Sequence, residues 1–150
     1  MTYFAEYARF IPEKFEFGYR NQPHTRGSKS NVKDIINAML NYGYVILAGE
    51  ISKFINVIGL DTYYGFLHKR HVSFQSLVYD IIETFRWIVD YAVYSLANNQ
   101  NSRQRIYLKD FARIKEGFVV LDYSLIKRFL EKMERIFHKE RPYKIHGRKH

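Results

Sequence analysis

With 150 residues, 47% of them hydrophobic, and no cysteine, the chain can close one core but not two, and disulfide frameworks and thiolate metal sites are excluded. The net charge of +9 is uneven: residues 1–100 hold ten basic and nine acidic side chains, residues 101–150 fourteen and six. That imbalance is the footprint of a polyanion partner, although a basic face also serves solubility.

The elements follow from periodicity. Tyr3, Phe4, Tyr7, Ala8 and Ile11 recur at spacings of three and four, as at the end of a helix that Pro12 terminates. The polar stretch from Phe15 to Ser30 reads as a loop, with Arg20, Arg26 and Lys29 available to a ligand. Ser30 or Asn31 then caps a long helix with Val32, Ile35, Ile36, Met39, Leu40, Leu47, Ile51, Phe54, Ile55 and Ile58 inward and Gly59 as its stop. Gly43 and Gly49 each cost that helix about 1 kcal/mol relative to alanine, which predicts close packing or a local break.

After a connection over 60–72, Ser73 or Ser76 opens a second long helix with Leu77, Val78, Ile81, Ile82, Phe85, Ile88, Val89, Ala92 and Leu96 inward, ending in the polar run 98–102. A short amphipathic piece over 107–114 follows, and 118–121 is compatible with a brief strand. Asp122 or Ser124 caps a last helix. One stripe is Leu125, Phe129, Leu130, Met133, Ile136 and Phe137, and the other face is Lys127, Arg128, Lys132, Arg135 and Lys139. Residues 141–150 form a basic tail, expected to be mobile unless bound. The expectation is a single all-α domain over 1–150, about five helices in bundle-like or orthogonal packing.

The longest uncharged run, 35–49, includes Asn37 and Asn41 and falls short of the roughly 20 apolar residues of a membrane span. Residues 1–6 lack a basic segment followed by an apolar one, so no signal peptide and a cytoplasmic location are expected.

The residues able to do chemistry are His68, Asp80 and Glu83. Asp80 and Glu83 stand at i and i+3 of the second helix, so both carboxylates share one face, and His68 comes from the preceding loop. One imidazole and two carboxylates suit Mg2+ or Mn2+, which would polarise a phosphoryl oxygen. The same spacing fits two solvated acids and a loop histidine bonded to a carbonyl. His71 and Asp90 read as surface residues.

Five fragments in order carry a resemblance: Phe-Gly-Tyr-Arg (17–20), Ile-Asn-Ala-Met-Leu-Asn-Tyr-Gly-Tyr (36–44), Gly-Leu-Asp (59–61), Gly-Phe-Leu-His (65–68) and Ser-Leu-Val-Tyr-Asp-Ile-Ile-Glu-Thr-Phe-Arg (76–86). Together they resemble the C-terminal helical domain of the CRISPR-associated adaptation endonuclease and integrase. The resemblance implies a manganese- or magnesium-dependent enzyme that joins spacer DNA to the CRISPR array by transesterification and cuts branched DNA. It also implies double-stranded DNA as substrate, a homodimer in the full-length family, and a small adaptation partner subunit. The family's metal histidine falls on His68 and its metal acid on Glu83, with an additional acid near metal or DNA on Asp80. Arg20 matches a family arginine. The DNA-contact candidates are Arg20, Lys69, Arg70, Lys127, Arg128, Lys132 and Arg135. A further metal glutamate belongs upstream of the pair matched by Tyr3 and Phe4, and Glu6 does not replace it. The family's N-terminal β domain is likewise expected to be missing, so this chain alone is expected to bind metal weakly. The alternative is a non-catalytic helical DNA-binding or assembly module derived from the same family.

Overall fold

The computed structural model describes residues 3–20, 34–67, 75–101, 105–107, 112–115 and 118–139. The elements are α1 (Tyr3–Ala8), a 3-10 turn (Glu13–Phe15), α2 (Ile35–Val57), α3 (Ser76–Ala97), β1 (Ala112–Lys115), β2 (Phe118–Leu121) and α4 (Tyr123–Phe137). The fold is therefore mostly helical, as the periodicities predict. No helix among the described residues is long and apolar enough to cross a membrane.

Helix α2 is the centre. Its inward residues Ile35, Ile36, Met39, Leu40, Leu47, Ile51 and Ile55 are buried, and α2 lies against both α3 and β2, while α4 lies against α3. The N-terminus is fixed by Asp34, whose side chain accepts from the Asn37 backbone N–H at 2.7 Å. The expected caps, Ser30 or Asn31, lie outside the described residues, and the helix starts three or four residues later than they imply. Its C-terminus closes as expected at Gly59. With φ +76° there, the Leu60 N–H reaches the Ile55 carbonyl and the Gly59 N–H the Asn56 carbonyl.

The two glycines inside α2 part company. At Gly43 an added Cβ would lie 2.5 Å from Val89 Cγ1 and 2.8 Å from Phe129 Cζ, so α2, α3 and α4 meet where no side chain fits. At Gly49 nothing stands within 4 Å.

Helix α3 buries Val78, Ile82, Ile88, Val89, Ala92, Val93 and Leu96. Phe85 departs from the expected inward stripe and is exposed, as are Phe54, Ile58 and Phe137 on the other helices. Each of the three lies at a helix flank or end where no described element covers it. Asp122, one of the two expected caps of α4, accepts from the Ser124 N–H at 3.0 Å.

Of the amphipathic piece expected over 107–114, residues 112–114 form part of a strand, and 108–111 lie outside the described residues. β1 pairs antiparallel with β2, in the register Ala112 with Leu121 through Lys115 with Phe118. Only two residues, Glu116 and Gly117, separate the strands. Such a connection selects a hairpin over a helix turn. The expected strand at 118–121 is β2.

Candidate active site

Helix α3 carries three carboxylates, Asp80, Glu83 and Asp90, and the fold gives each a different environment. Glu83 is exposed, with its carboxylate held by the Arg86 guanidinium at 2.9 and 3.1 Å. Asp80, only 2% exposed, turns to the connection between α2 and α3: its Oδ2 accepts the backbone N–H of Phe66 at 2.5 Å and of Leu67 at 2.9 Å. The i, i+3 spacing thus puts the two acids on adjacent points of α3 but gives them different partners.

Asp90, read from sequence as a solvated residue, is instead buried at 4% exposure. The Tyr3 hydroxyl donates to one of its oxygens at 2.6 Å, the Tyr44 hydroxyl donates to the other, and the Tyr7 hydroxyl donates to its main-chain carbonyl at 2.8 Å. Burial, then the adjacent Asp90 carboxylate, pushes the pKa of all three phenols well above the ordinary tyrosine range. These bonds join α1, α2 and α3 around one carboxylate.

Beside this cluster opens a cleft of about 660 Å³ between α1, the 18–20 segment and α3. Glu83, Arg86, Trp87 and Asp90 form its α3 wall, and Tyr3 and Phe4 its α1 wall. Arg20 and Tyr19 face them from the loop side. Both guanidiniums lie over the same two rings: Arg20 stands 5.9 Å from the Phe4 centroid and 5.4 Å from Tyr44, Arg86 at 5.4 and 5.1 Å. Arg20 is steadied by Asn37 Oδ1 at 3.0 Å and Asn41 Oδ1 at 2.5 Å, and Asn37 in turn donates to the Tyr19 carbonyl. Burial, with Arg86 close by, lowers the Arg20 pKa. For Arg86 burial acts in the same direction, but Glu83 and Tyr44 outweigh it and hold the guanidinium firmly charged. The cleft therefore offers an exposed carboxylate paired with one guanidinium, a second guanidinium and several ring faces, an assembly suited to a phosphate-bearing, stackable ligand.

Of the residues singled out in the sequence, Arg20 and Glu83 share this cleft. Asp80 is not among its lining residues. His68, Lys69, Arg70 and His71 lie outside the described residues. Among the described residues no group of three histidine, aspartate or glutamate side chains is placed to hold a metal ion. Glu83 alone supplies an exposed hard oxygen donor there, which fits a divalent cation shared with ligands from outside that set. On α4, Arg128, Lys132 and Arg135 line a smaller depression of about 170 Å³ with Glu131, and Lys127 is exposed. Arg128 also donates to the Ser124 and Arg105 carbonyls, and burial lowers its pKa.

Sequence reasoning missed Arg86 and the tyrosine–Asp90 cluster. The signals were present: Arg86 follows Glu83 by three residues and Asp90 by seven, both on the Glu83 face of the helix.

Comparison with known proteins bears on this site. The family model described as CRISPR associated protein Cas1 matches residues 1–135. A CRISPR-associated endonuclease Cas1 of Thermus thermophilus is 36% identical over 133 residues, covering 88% of this chain and 36% of that protein. A casposase bound to integration product superposes with TM-score 0.79 at 35% identity, covering 95% of this chain and 38% of the casposase chain. The Cas6-RT-Cas1–Cas2 complex shares the fold with TM-score 0.74 at 23% identity, covering 95% of this chain and 15% of that one. The chain thus spans little more than a third of the length of the first two.

Proposed function

Because the chain belongs to the Cas1 family, we propose that it is the helical catalytic unit of a metal-dependent DNA endonuclease and integrase that inserts spacer DNA into a CRISPR array by phosphoryl transfer. The observation that carries this reading is the cleft, where an exposed Glu83 carboxylate faces Arg20, Arg86 and open aromatic rings.

In this reading Glu83 and His68 hold Mn2+ or Mg2+, with Asp80 close by and a further glutamate from upstream chain completing the set. The cation, when bound, supplies Lewis-acid polarisation of the phosphoryl group and a more acidic attacking hydroxyl. Arg20 and Arg86 bind the non-bridging phosphate oxygens, since guanidiniums present paired donors at carboxylate and phosphate spacing. Phe4 and Tyr44 hold those guanidiniums in fixed planes, so little side-chain entropy is lost when phosphate binds. Trp87 and Tyr19 offer faces on which a base can stack. Lys127, Arg128, Lys132 and Arg135, with Lys69 and Arg70, hold the backbone of double-stranded DNA by sequence-independent charge. The whole protein works in the cytoplasm as a homodimer with a small partner subunit, by extension from relatives such as the Cas1–Cas2 assembly.

The second reading, a non-catalytic helical DNA-binding or assembly module, is favoured by one observation: Glu83 already has a cationic partner in Arg86. Calorimetric Mn2+ titration and strand-transfer assays on the protein and its Glu83→Gln variant separate the two. The catalytic reading expects both metal binding and strand transfer to be lost in the variant. Unchanged strand transfer would leave only the module.

A further inference from the structure

The part of the α2–α3 connection that lies before residue 68 includes Phe66 and Leu67, which are 73% and 70% exposed. Hydrophobic burial therefore does not hold this backbone in place. Polar bonds do. The Thr62 carbonyl accepts the Leu77 N–H at 3.0 Å, capping the first turn of α3, where the preceding Gln75 makes no side-chain cap. In return Asp80, one turn into the helix, accepts the Phe66 and Leu67 N–H groups on a single buried oxygen. Connection and helix thus cap each other. The fit is close: a Cβ at Gly65 would lie 2.6 Å from Asp80 Oδ2 and 2.7 and 2.9 Å from Ser76 Cβ and carbonyl carbon.

We propose that Asp80 is a positioning residue, not a metal ligand: its carboxylate clamps the 65–67 backbone that leads in sequence into His68. This deepens the metal-dependent reading above and rests on it for its consequence, though the clamp itself stands on the bonds just described. Burial of the acceptor oxygen keeps water from competing for both N–H bonds. A residue that orients a ligand in this way commonly changes metal affinity about 10- to 100-fold when removed.

The test pairs two readouts on the intact protein. Without metal, amide hydrogen exchange at Phe66 and Leu67 should be slow in the wild type and in Asp80→Asn, whose amide oxygen still accepts, and fast in Asp80→Ala. Gly65→Ala, which leaves Asp80 in place and displaces the loop, should match Asp80→Ala and guards against simple misfolding of the latter. Slow exchange in Asp80→Ala would overturn the clamp. Mn2+ binding followed by electron paramagnetic resonance should then be near wild type in Asp80→Asn, weakened by about 10- to 100-fold in Asp80→Ala and Gly65→Ala, and lost in Glu83→Gln. Loss in Asp80→Asn equal to that in Glu83→Gln would make Asp80 a ligand and overturn the inference. If the wild type binds no Mn2+, the metal-dependent reading fails, and the exchange data still decide the clamp.

Discussion

Alanine in place of Gly43 and of Gly49, one at a time, tests the packing of the helical core with an internal control. Both positions lie inside α2, so each substitution gains about 1 kcal/mol of helix propensity. At Gly49 the new methyl meets nothing within 4 Å, and the gain stands: the variant should be about 1 kcal/mol more stable. At Gly43 the methyl would lie 2.5 Å from Val89 and 2.8 Å from Phe129, both fully buried and unable to swing aside. Overpacking of a core costs about 1–3 kcal/mol, and two stiff neighbours place this site in the upper part of that range. The net effect is a loss of about 1–2 kcal/mol, and the two variants should differ by about 2–3 kcal/mol. With a urea slope of about 2 kcal/mol/M, their unfolding midpoints should separate by about 1 M or more. Equal midpoints, or a more stable Gly43→Ala, would show that α2, α3 and α4 do not meet at this glycine.

The tyrosines at Asp90 predict an alkaline limit. A phenol whose folded pKa is raised leaves the unfolded chain binding fewer protons above the ordinary phenol value of about 10, so stability is whole below that pH and declines above it. Phenolate absorbance in the folded protein should therefore lack Tyr3, Tyr7 and Tyr44 until urea is added, and identical titration of folded and urea-unfolded protein would contradict the cluster. Asp90→Ala removes the acceptor of two hydroxyls and should lower unfolding free energy by about 1–3 kcal/mol in denaturant titration; an unchanged midpoint would show that these bonds contribute nothing. If α4 contacts DNA, the log–log slope of affinity against salt should flatten by roughly 0.9 for each of Lys127, Lys132 and Arg135 that is neutralised. A slope indifferent to all three would place the DNA elsewhere.

The three long helices were legible because burial of an apolar stripe is written into spacing, and the start at Asp122 and the stop at Gly59 because caps use local chemistry. Gly43 was legible as a question, whether packing or a break, that only the positions of Val89 and Phe129 answer. The acids were not legible in the same way. Asp80, Glu83 and Asp90 look alike along the helix, and what separates them arrives from far off: the Tyr3 hydroxyl from 87 residues away, Tyr44 from 46, and the Phe66 and Leu67 amides from the preceding connection. Within the amphipathic piece over 107–114, the strand at 112–114 was not foreseen because short apolar runs do not distinguish helix from strand.

Over its described residues, α1 is held to the rest of the fold by the bonds of Tyr3 and Tyr7 to Asp90 and by the packing of Phe4 and Tyr7 against the core. One wall of the cleft therefore rests on a small set of contacts, whose opening costs less than global unfolding. A ligand that stacks against Tyr3 and Phe4 would suppress that opening, so occupancy of the cleft and residence of α1 on α3 rise together, each lengthening the lifetime of the other.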